Sequence, residues 1–103
     1  MFGLSEATLQ AILGCLAQLP DIQWAKLYGS RAKGNYRPGS DIDIAFSSAT
    51  DNSAALLSAL DALPTPYLFD VTHYETLQHP ELKAHIDRVG VLIYERDNSG
   101  NLS

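Results

Sequence analysis

The sequence predicts a single α/β (α+β) domain in which helices flank a small mixed β-sheet of about four strands. Segments whose apolar residues recur with helical spacing alternate with short apolar segments of strand length. The 103 residues suffice for one modest core, and no linker, internal repeat or low-complexity tract divides them. We therefore expect residues 1–95 to fold as one domain and the polar residues 96–103 to form a flexible tail.

Four helices are predicted. Ser5 is a suitable N-cap for the first, whose leucines and isoleucines follow a helical period until Pro20 ends it. Pro80 suits the first position of the last helix, and Gly90 suits its end. The predicted ranges are Ser5 to Leu19, Arg31 to Tyr36, Asn52 to Leu63 and Pro80 to Val89.

The strands are predicted from short runs rich in β-branched and aromatic residues that are bounded by turn residues. A loop over 37–40 leads into the second of them. The predicted ranges are Ile22 to Tyr28, Asp41 to Phe46, Tyr67 to His73 and Val91 to Tyr94.

Two carboxylates share one face of the second predicted strand. Because side chains alternate along a strand, Asp41 and Asp43 point to the side opposite the core face with Phe46. Two such charges about 4 Å apart repel by roughly 1 kcal/mol in water, and by about 4 kcal/mol at an effective protein dielectric, unless a cation lies between them. Mg²⁺ prefers carboxylate oxygens and shares its other positions with water and phosphates, so this face predicts a magnesium site.

A glycine and a serine lie between the first strand and the short helix. Gly29 allows a ligand to approach the backbone closely, and the amides of a helix start, together with the Ser30 hydroxyl, favour phosphate oxygens. The connection is also basic, because four of the seven Lys and Arg residues of this acidic chain lie close by: Lys26, Arg31, Lys33 and Arg37. This local positive charge predicts a polyanionic ligand.

The third predicted strand carries a further acid. Asp70 alternates with the apolar core positions Phe69 and Val71, so it points away from the core. If this strand lies beside the second, at a spacing of about 4.8 Å, Asp70 joins Asp41 and Asp43 around one ion. The alternative is an edge-strand acid that faces solvent.

Composition and the remaining reactive side chains argue against several other classes of protein and of binding site. A net charge of −5 argues against direct nucleic-acid binding, which needs an extended basic face. No apolar run has membrane-spanning length and no signal peptide opens the chain, so a cytoplasmic protein is expected. Cys15 is expected in the core, and His73, His79 and His85 lack the spacing of metal ligands. Gly29 and Gly34 have P-loop spacing, but the Lys and Ser/Thr that such a loop requires are missing after Gly34.

Gly29-Ser30, ten further residues and then Asp41-Ile42-Asp43 resemble the Gly-Ser-x10-Asp-x-Asp signature of the polymerase-β-type nucleotidyltransferase superfamily. The two segments Gly-Ser-Arg-Ala-Lys-Gly and Ser-Asp-Ile-Asp-Ile are similar, more narrowly, to the minimal nucleotidyltransferases that act as antitoxins beside HEPN-domain toxins. Lys33 stands where many members have arginine, which keeps the charge but loses the bidentate phosphate geometry.

The resemblance implies a polymerase-β-like fold, two Mg²⁺ ions and ATP as a substrate. The ions would be held by Asp41, Asp43 and Asp70, and Asp70 would also help to deprotonate the attacking hydroxyl. The resemblance further implies a set of nucleotide contacts at Gly29, Ser30, Arg31, Lys33 and Ser40. AMP would be transferred to a hydroxyl, expected on a tyrosine, of a partner HEPN toxin, which describes a type VII-like antitoxin.

Two alternatives stay open at this stage. A binding module of the same fold would neutralise the toxin by occluding it, without transfer. A small-molecule nucleotidyltransferase would modify an aminoglycoside-like hydroxyl after building its acceptor site by self-association. The nucleotide base, the number of AMP groups added and the choice between self-association and a complex with another chain are undetermined by the sequence.

Overall fold

The computed structural model describes residues 2–35, 37 and 39–96. A four-stranded mixed sheet with flanking helices confirms the predicted fold class. The helices are α1 (Glu6–Ala17), α2 (Ser30–Lys33), α3 (Ser53–Asp61) and α4 (Pro80–Val89), and a 3₁₀ turn covers Tyr74–Thr76. The strands are β1 (Ile22–Tyr28), β2 (Ile42–Ser48), β3 (Phe69–His73) and β4 (Val91–Glu95).

The strand order across the sheet is β3-β2-β1-β4. β1 pairs antiparallel with both β2 and β4, whereas β2 and β3 are parallel and are joined through α3. The strand that starts with Ile42 is therefore central, and the strand that carries Asp70 is its direct neighbour.

The main core lies on the sheet face that α1 and α3 cover. It contains the apolar side chains of β2 that alternate with the acids, and it confirms the predicted core face: Ile42, Ile44 and Phe46 are fully buried there with Ile12, Leu16, Leu56 and Leu60. Cys15 is also buried in this core, as predicted, and burial raises the pKa of its thiol.

The opposite face, which carries the acids, is less open than the alternation pattern predicts. Ala45 shares this face with Asp43, yet it is fully buried in a second apolar cluster with Tyr28 of β1 and Ile86 of α4. Helix α4 thus covers the middle of this face. The acids lie beyond the covered part, near the first residues of β2.

Local signals explain where the helices begin and end. The Ser5 hydroxyl caps α1 by accepting from the Thr8 amide at 3.1 Å. His79 caps α4 by accepting from the Leu82 amide at 3.0 Å. Helix α2 is shorter than predicted because Gly34 adopts a left-handed conformation with φ of +83° directly after Lys33. The predicted end at Tyr36 lies outside the described residues.

Arg96 is fixed by hydrogen bonds to the backbone, although the sequence assigns it to the flexible tail. Its guanidinium donates to the carbonyls of Ile22 at 3.0 Å and Leu19 at 3.1 Å, and its amide donates to the Gln23 carbonyl at 2.8 Å. The rest of the predicted tail, 97–103, lies outside the described residues. Within the described part of the chain, no helix combines the length and apolarity needed to span a membrane.

Candidate active site

Asp43 and Asp70 lie directly opposite each other on the parallel strands β2 and β3. Register partners in a sheet point to the same face, and neighbouring strands are about 4.8 Å apart. The structure therefore places Asp70 where the sequence predicts it, beside Asp43 rather than on the opposite face. The chemical role of the pair stays a prediction.

Asp41 is the third predicted acid and directly precedes β2. Its side chain is exposed, as is that of Asp70, whereas Asp43 is half-buried. As their side chains are placed, no three carboxylate, histidine or cysteine groups among the described residues already form a metal-binding group. Because Asp41 and Asp70 are exposed, no packing prevents either side chain from turning towards Asp43.

Asp43 is the most perturbed acid of the site. Burial raises its pKa most, the charges of Asp70 and Asp41 raise it further, and together they bring it to about 6 from a usual value of 3.8. The ionised form of Asp43 is therefore unfavourable in the folded protein, and a nearby cation would stabilise it. Carboxyl groups perturbed in this way by burial and like charges are typical of functional sites.

Because ionised Asp43 is unfavourable in the folded state, we expect the metal-free protein to become less stable as the pH rises from 4 to 7. Between pH 3.8 and about 6 the folded state binds more protons at Asp43 than the unfolded state, so the free energy of unfolding falls as the pH rises. Two pKa units correspond to roughly 3 kcal/mol, and solvent screening at this half-buried group reduces the expected effect to about 1–2 kcal/mol. Denaturant unfolding in EDTA at pH 4.5 and pH 7 measures it.

Asp43→Asn is the matched variant, because it removes the titrating group and the repulsion together. It should be more stable than the wild type at pH 7, and its stability should change less between the two pH values. The lowered pKa values of Asp21 and Asp51 act in the opposite direction and mainly at lower pH, so they contribute little to the change between pH 4.5 and pH 7. Equal pH profiles of the two proteins would contradict the assignment of the effect to Asp43.

Gly29 lies against Asp43 in a conformation that only glycine adopts readily. Its φ of +78° and ψ of −152° fall in a region that is strained for any residue with a Cβ. A Cβ on Gly29 would also clash with Oδ2 of Asp43 and would lie 3.3 Å from its Cγ. The backbone of the Gly29-Ser30 turn therefore packs directly on an acid of the site.

The remaining predicted nucleotide contacts are placed around this turn. Ser30 is the first residue of α2 and is half-buried, and Lys33 is exposed at the end of the same helix. Ser40 precedes Asp41, and its hydroxyl accepts from the Arg37 amide at 2.8 Å. The contacts of these residues with a nucleotide stay predictions.

Arg31 is buried, although the resemblance implies that it contacts the nucleotide. Its side chain is only 3% exposed. The guanidinium donates to the backbone carbonyls of Ser40 and Phe2, both at 2.9 Å. The charge is thus directed into the protein, and Lys33 is the exposed cation of α2.

Sequence reasoning missed Tyr28 and Thr72, which lie on the same sheet face as Asp43 and Asp70. The hydroxyl of Tyr28, the register partner of Asp43 on β1, lies 3.0 Å from the Thr72 hydroxyl on β3, so this contact spans β2 above Ala45. Burial most of all, with smaller contributions from the charges of Asp70 and Asp43, raises the pKa of Tyr28. Alternation with the core residue Leu27 was the available signal for this orientation.

The histidines lie outside the acid cluster. His73 is buried, with its ring nitrogens 2.8 Å from the Ser48 carbonyl and 3.0 Å from the Thr76 hydroxyl. His85 contacts the Tyr28 ring edge-on, with 6.1 Å between the ring centroids. The absence of the histidines from the metal site stays a prediction.

Several solved structures that are similar to this chain are toxin–antitoxin structures. A chain of a toxin–antitoxin crystal structure with AMP-PNP is 25% identical, with a TM-score of 0.63 over 96% of this chain and 80% of that chain. A chain of the MntA–HepT toxin–antitoxin structure is 22% identical, with a TM-score of 0.62 over 95% and 79%. A chain of a Shewanella oneidensis complex between a tri-AMPylated HEPN toxin and an MNT antitoxin is 22% identical, with a TM-score of 0.62 over 96% and 79%.

The sequence comparisons are consistent with the geometry of the acids and the glycine turn. No curated protein matches this chain in sequence. The family model described as "Polymerase beta, Nucleotidyltransferase" matches residues 10–99, which include Gly29, Ser30 and all three acids. The chain therefore belongs to the polymerase β nucleotidyltransferase family.

Proposed function

We propose that this nucleotidyltransferase transfers AMP from ATP to a hydroxyl group, expected on a tyrosine, of a partner HEPN toxin, in a reaction that depends on Mg²⁺. The observation that carries the proposal is the register pairing of Asp43 with Asp70, directly beside the Gly29 turn. Such a transfer would make the chain a type VII-like antitoxin that acts by modifying its partner.

The acids fit a divalent metal by their chemistry. Asp41, Asp43 and Asp70 offer only carboxylate oxygens, the ligands that Mg²⁺ prefers. Burial, and then the charges of Asp70 and Asp41, raise the pKa of Asp43, so a bound cation would stabilise its ionised form. When bound, magnesium would neutralise charge on the entering and leaving oxygens of the transfer.

The protein residues have separate tasks in this proposal. Gly29 and Ser30 bind the β and γ phosphates, so that the α phosphorus lies beside the acids. Asp70 takes the proton of the acceptor hydroxyl, whose oxygen bonds to the α phosphorus while the bond to the bridging oxygen breaks and pyrophosphate leaves. Lys33 offsets the charge that develops on the pyrophosphate.

The proposed partner is supported by the structural neighbours. One 25% identical neighbour is part of a toxin–antitoxin structure with AMP-PNP, an ATP analogue, and another neighbour is an MNT antitoxin bound to a tri-AMPylated HEPN toxin. AMP attached near an RNA-binding surface would add negative charge that repels the RNA backbone. Modification would therefore neutralise the toxin without permanent occupancy of its active site.

The proposal predicts that the partner HEPN toxin gains mass when the two proteins are incubated with Mg-ATP. Intact-protein mass spectrometry should show one or more added adenylates, and peptide fragmentation should locate them on a hydroxyl residue. The ribonuclease activity of the toxin should fall in parallel. A reaction with EDTA in place of Mg²⁺ is the control and should leave the toxin unmodified and active.

The same experiment tests the first alternative, and a reaction with an aminoglycoside in place of the toxin tests the second. Loss of ribonuclease activity without added adenylate would show occlusion by a binding module. AMP transfer to an aminoglycoside-like hydroxyl, in the absence of any partner protein, would show a small-molecule nucleotidyltransferase.

A further inference from the structure

Arg31 is bound to the backbone just before the acids. Its Nη2 and Nε donate to the Ser40 carbonyl at 2.9 and 3.3 Å, and its Nη1 donates to the Phe2 carbonyl at 2.9 Å. A guanidinium has a planar, rigid set of donors, so these bonds set the position of the carbonyl as well as its distance.

Arg31 also reaches the segment that leads into β3. Its guanidinium carbon lies 4.9 Å from the ring centroid of Tyr67, three residues before Asp70. The Leu68 carbonyl in the same segment accepts from the Ile42 amide at 2.9 Å. One buried side chain thus contacts both segments that lead into the acid-bearing strands, and it directly follows Ser30 in sequence.

Of the three acids, Asp41 is the one that sheet pairing does not fix. Sheet pairing in β2 begins at Ile42, so Asp41 lies outside the hydrogen-bonded register that fixes Asp43 against Asp70. Asp41 is also exposed, so packing does not hold its side chain. The Arg31 bonds to Ser40 act one residue before Asp41 and limit the movement of this unpaired position.

We propose that Arg31 is a positioning residue that holds Asp41 in place for metal binding, rather than a phosphate ligand. This inference rests on the proposed function, because it assigns Asp41 to a metal site. Groups that orient the ligands of a metal typically change its affinity about 10–100-fold when they are mutated. Arg31 should therefore affect metal affinity without contacting the metal.

Arg96 is a matched control at the other end of β1. Its guanidinium also donates to two backbone carbonyls, those of Ile22 and Leu19, but it lies at the start of β1, far from the Gly29 turn. Arg31→Lys and Arg96→Lys each keep the charge and remove the forked geometry. Both should lower the melting temperature, whereas only the former should disturb the acids.

The test measures Mn²⁺ binding by titration calorimetry, with AMP-PNP present and no partner protein. Arg31→Lys should weaken Mn²⁺ binding by about tenfold or more. Arg96→Lys should stay within about twofold of the wild type, because distant sites act independently. If Arg31→Lys does not fold, Arg31→Gln, which keeps one amide donor, replaces it with the same expectation.

Two results would overturn the positioning role. Mn²⁺ affinity of Arg31→Lys equal to that of the wild type would show that Asp41 needs no such support. Equal weakening in both variants would show a general loss of stability. A failure of the proposed function looks different, because the wild type would then bind Mn²⁺ and AMP-PNP but add no adenylate to the toxin.

Discussion

Replacement of Asp41 and Asp43 together by asparagine is expected to lower AMP transfer by about a thousandfold or more. The double variant removes two of the three carboxylates that would hold Mg²⁺, and metal ions contribute several kcal/mol to such displacements. Each 1.36 kcal/mol of transition-state stabilisation corresponds to about a tenfold change in rate. Transfer of radiolabelled AMP from ATP to the toxin, measured at saturating Mg²⁺, gives the rate.

Folding and partner binding should survive this substitution. Relief of the repulsion at Asp43 favours the folded state of the variant at neutral pH, and binding to the toxin can be compared by pull-down. Asp61→Asn is the control for the loss of one negative charge, since Asp61 is exposed at the end of α3, away from the acid cluster. Full neutralisation of the toxin by the double variant would favour occlusion over transfer.

Gly29→Ala is expected to impair both stability and activity. An alanine at φ of +78° and ψ of −152° costs about 1–3 kcal/mol in backbone strain. Its Cβ would also displace the Asp43 carboxylate, with which it clashes. We expect a lower melting temperature and a loss of AMP transfer beyond what the unfolded fraction explains, measured at a temperature where the variant stays folded.

Gly14→Ala is the matched control, and it should raise the stability of the protein rather than lower it. Gly14 lies within α1, and a Cβ there meets no atom within 4 Å. Alanine in a helix interior is favoured over glycine by about 1 kcal/mol, so this variant should be more stable than the wild type and equally active. Wild-type activity of Gly29→Ala would show that the close approach to Asp43 is not required.

Local sequence patterns predicted the strands and their faces well. The bounds of β1 agree with the prediction, because Pro20-Asp21 and Gly29 bound a segment that contains neither glycine nor proline. Alternation placed Ile42 and Ile44 in the core and Asp43 opposite to it. It also placed Asp70 on the face of the acids once β3 lay beside β2, and the register pairing bears this out.

Side chains that act over long sequence separations were predicted poorly. Arg31 and Arg96 each bind carbonyls that lie far away in sequence, 29 residues away for Phe2 and 77 for Leu19. A basic residue in a polar connection looks the same in sequence whether it meets phosphate or a buried carbonyl. The cover of Ala45 by Ile86 was missed for the same reason, since no local pattern shows which face α4 packs against.

The sequence by itself determined which residues can carry the chemistry: the glycine-serine turn, the two acids at alternate positions of β2 and the acid of β3. Period-two alternation and turn residues are local properties, so they can be recognised without a fold. Only the tertiary structure decided that Asp70 pairs with Asp43, that Gly29 touches this acid and that Arg31 faces inward. These features depend on strand order and packing between distant segments, where burial and backbone hydrogen bonding, rather than local preference, select the arrangement.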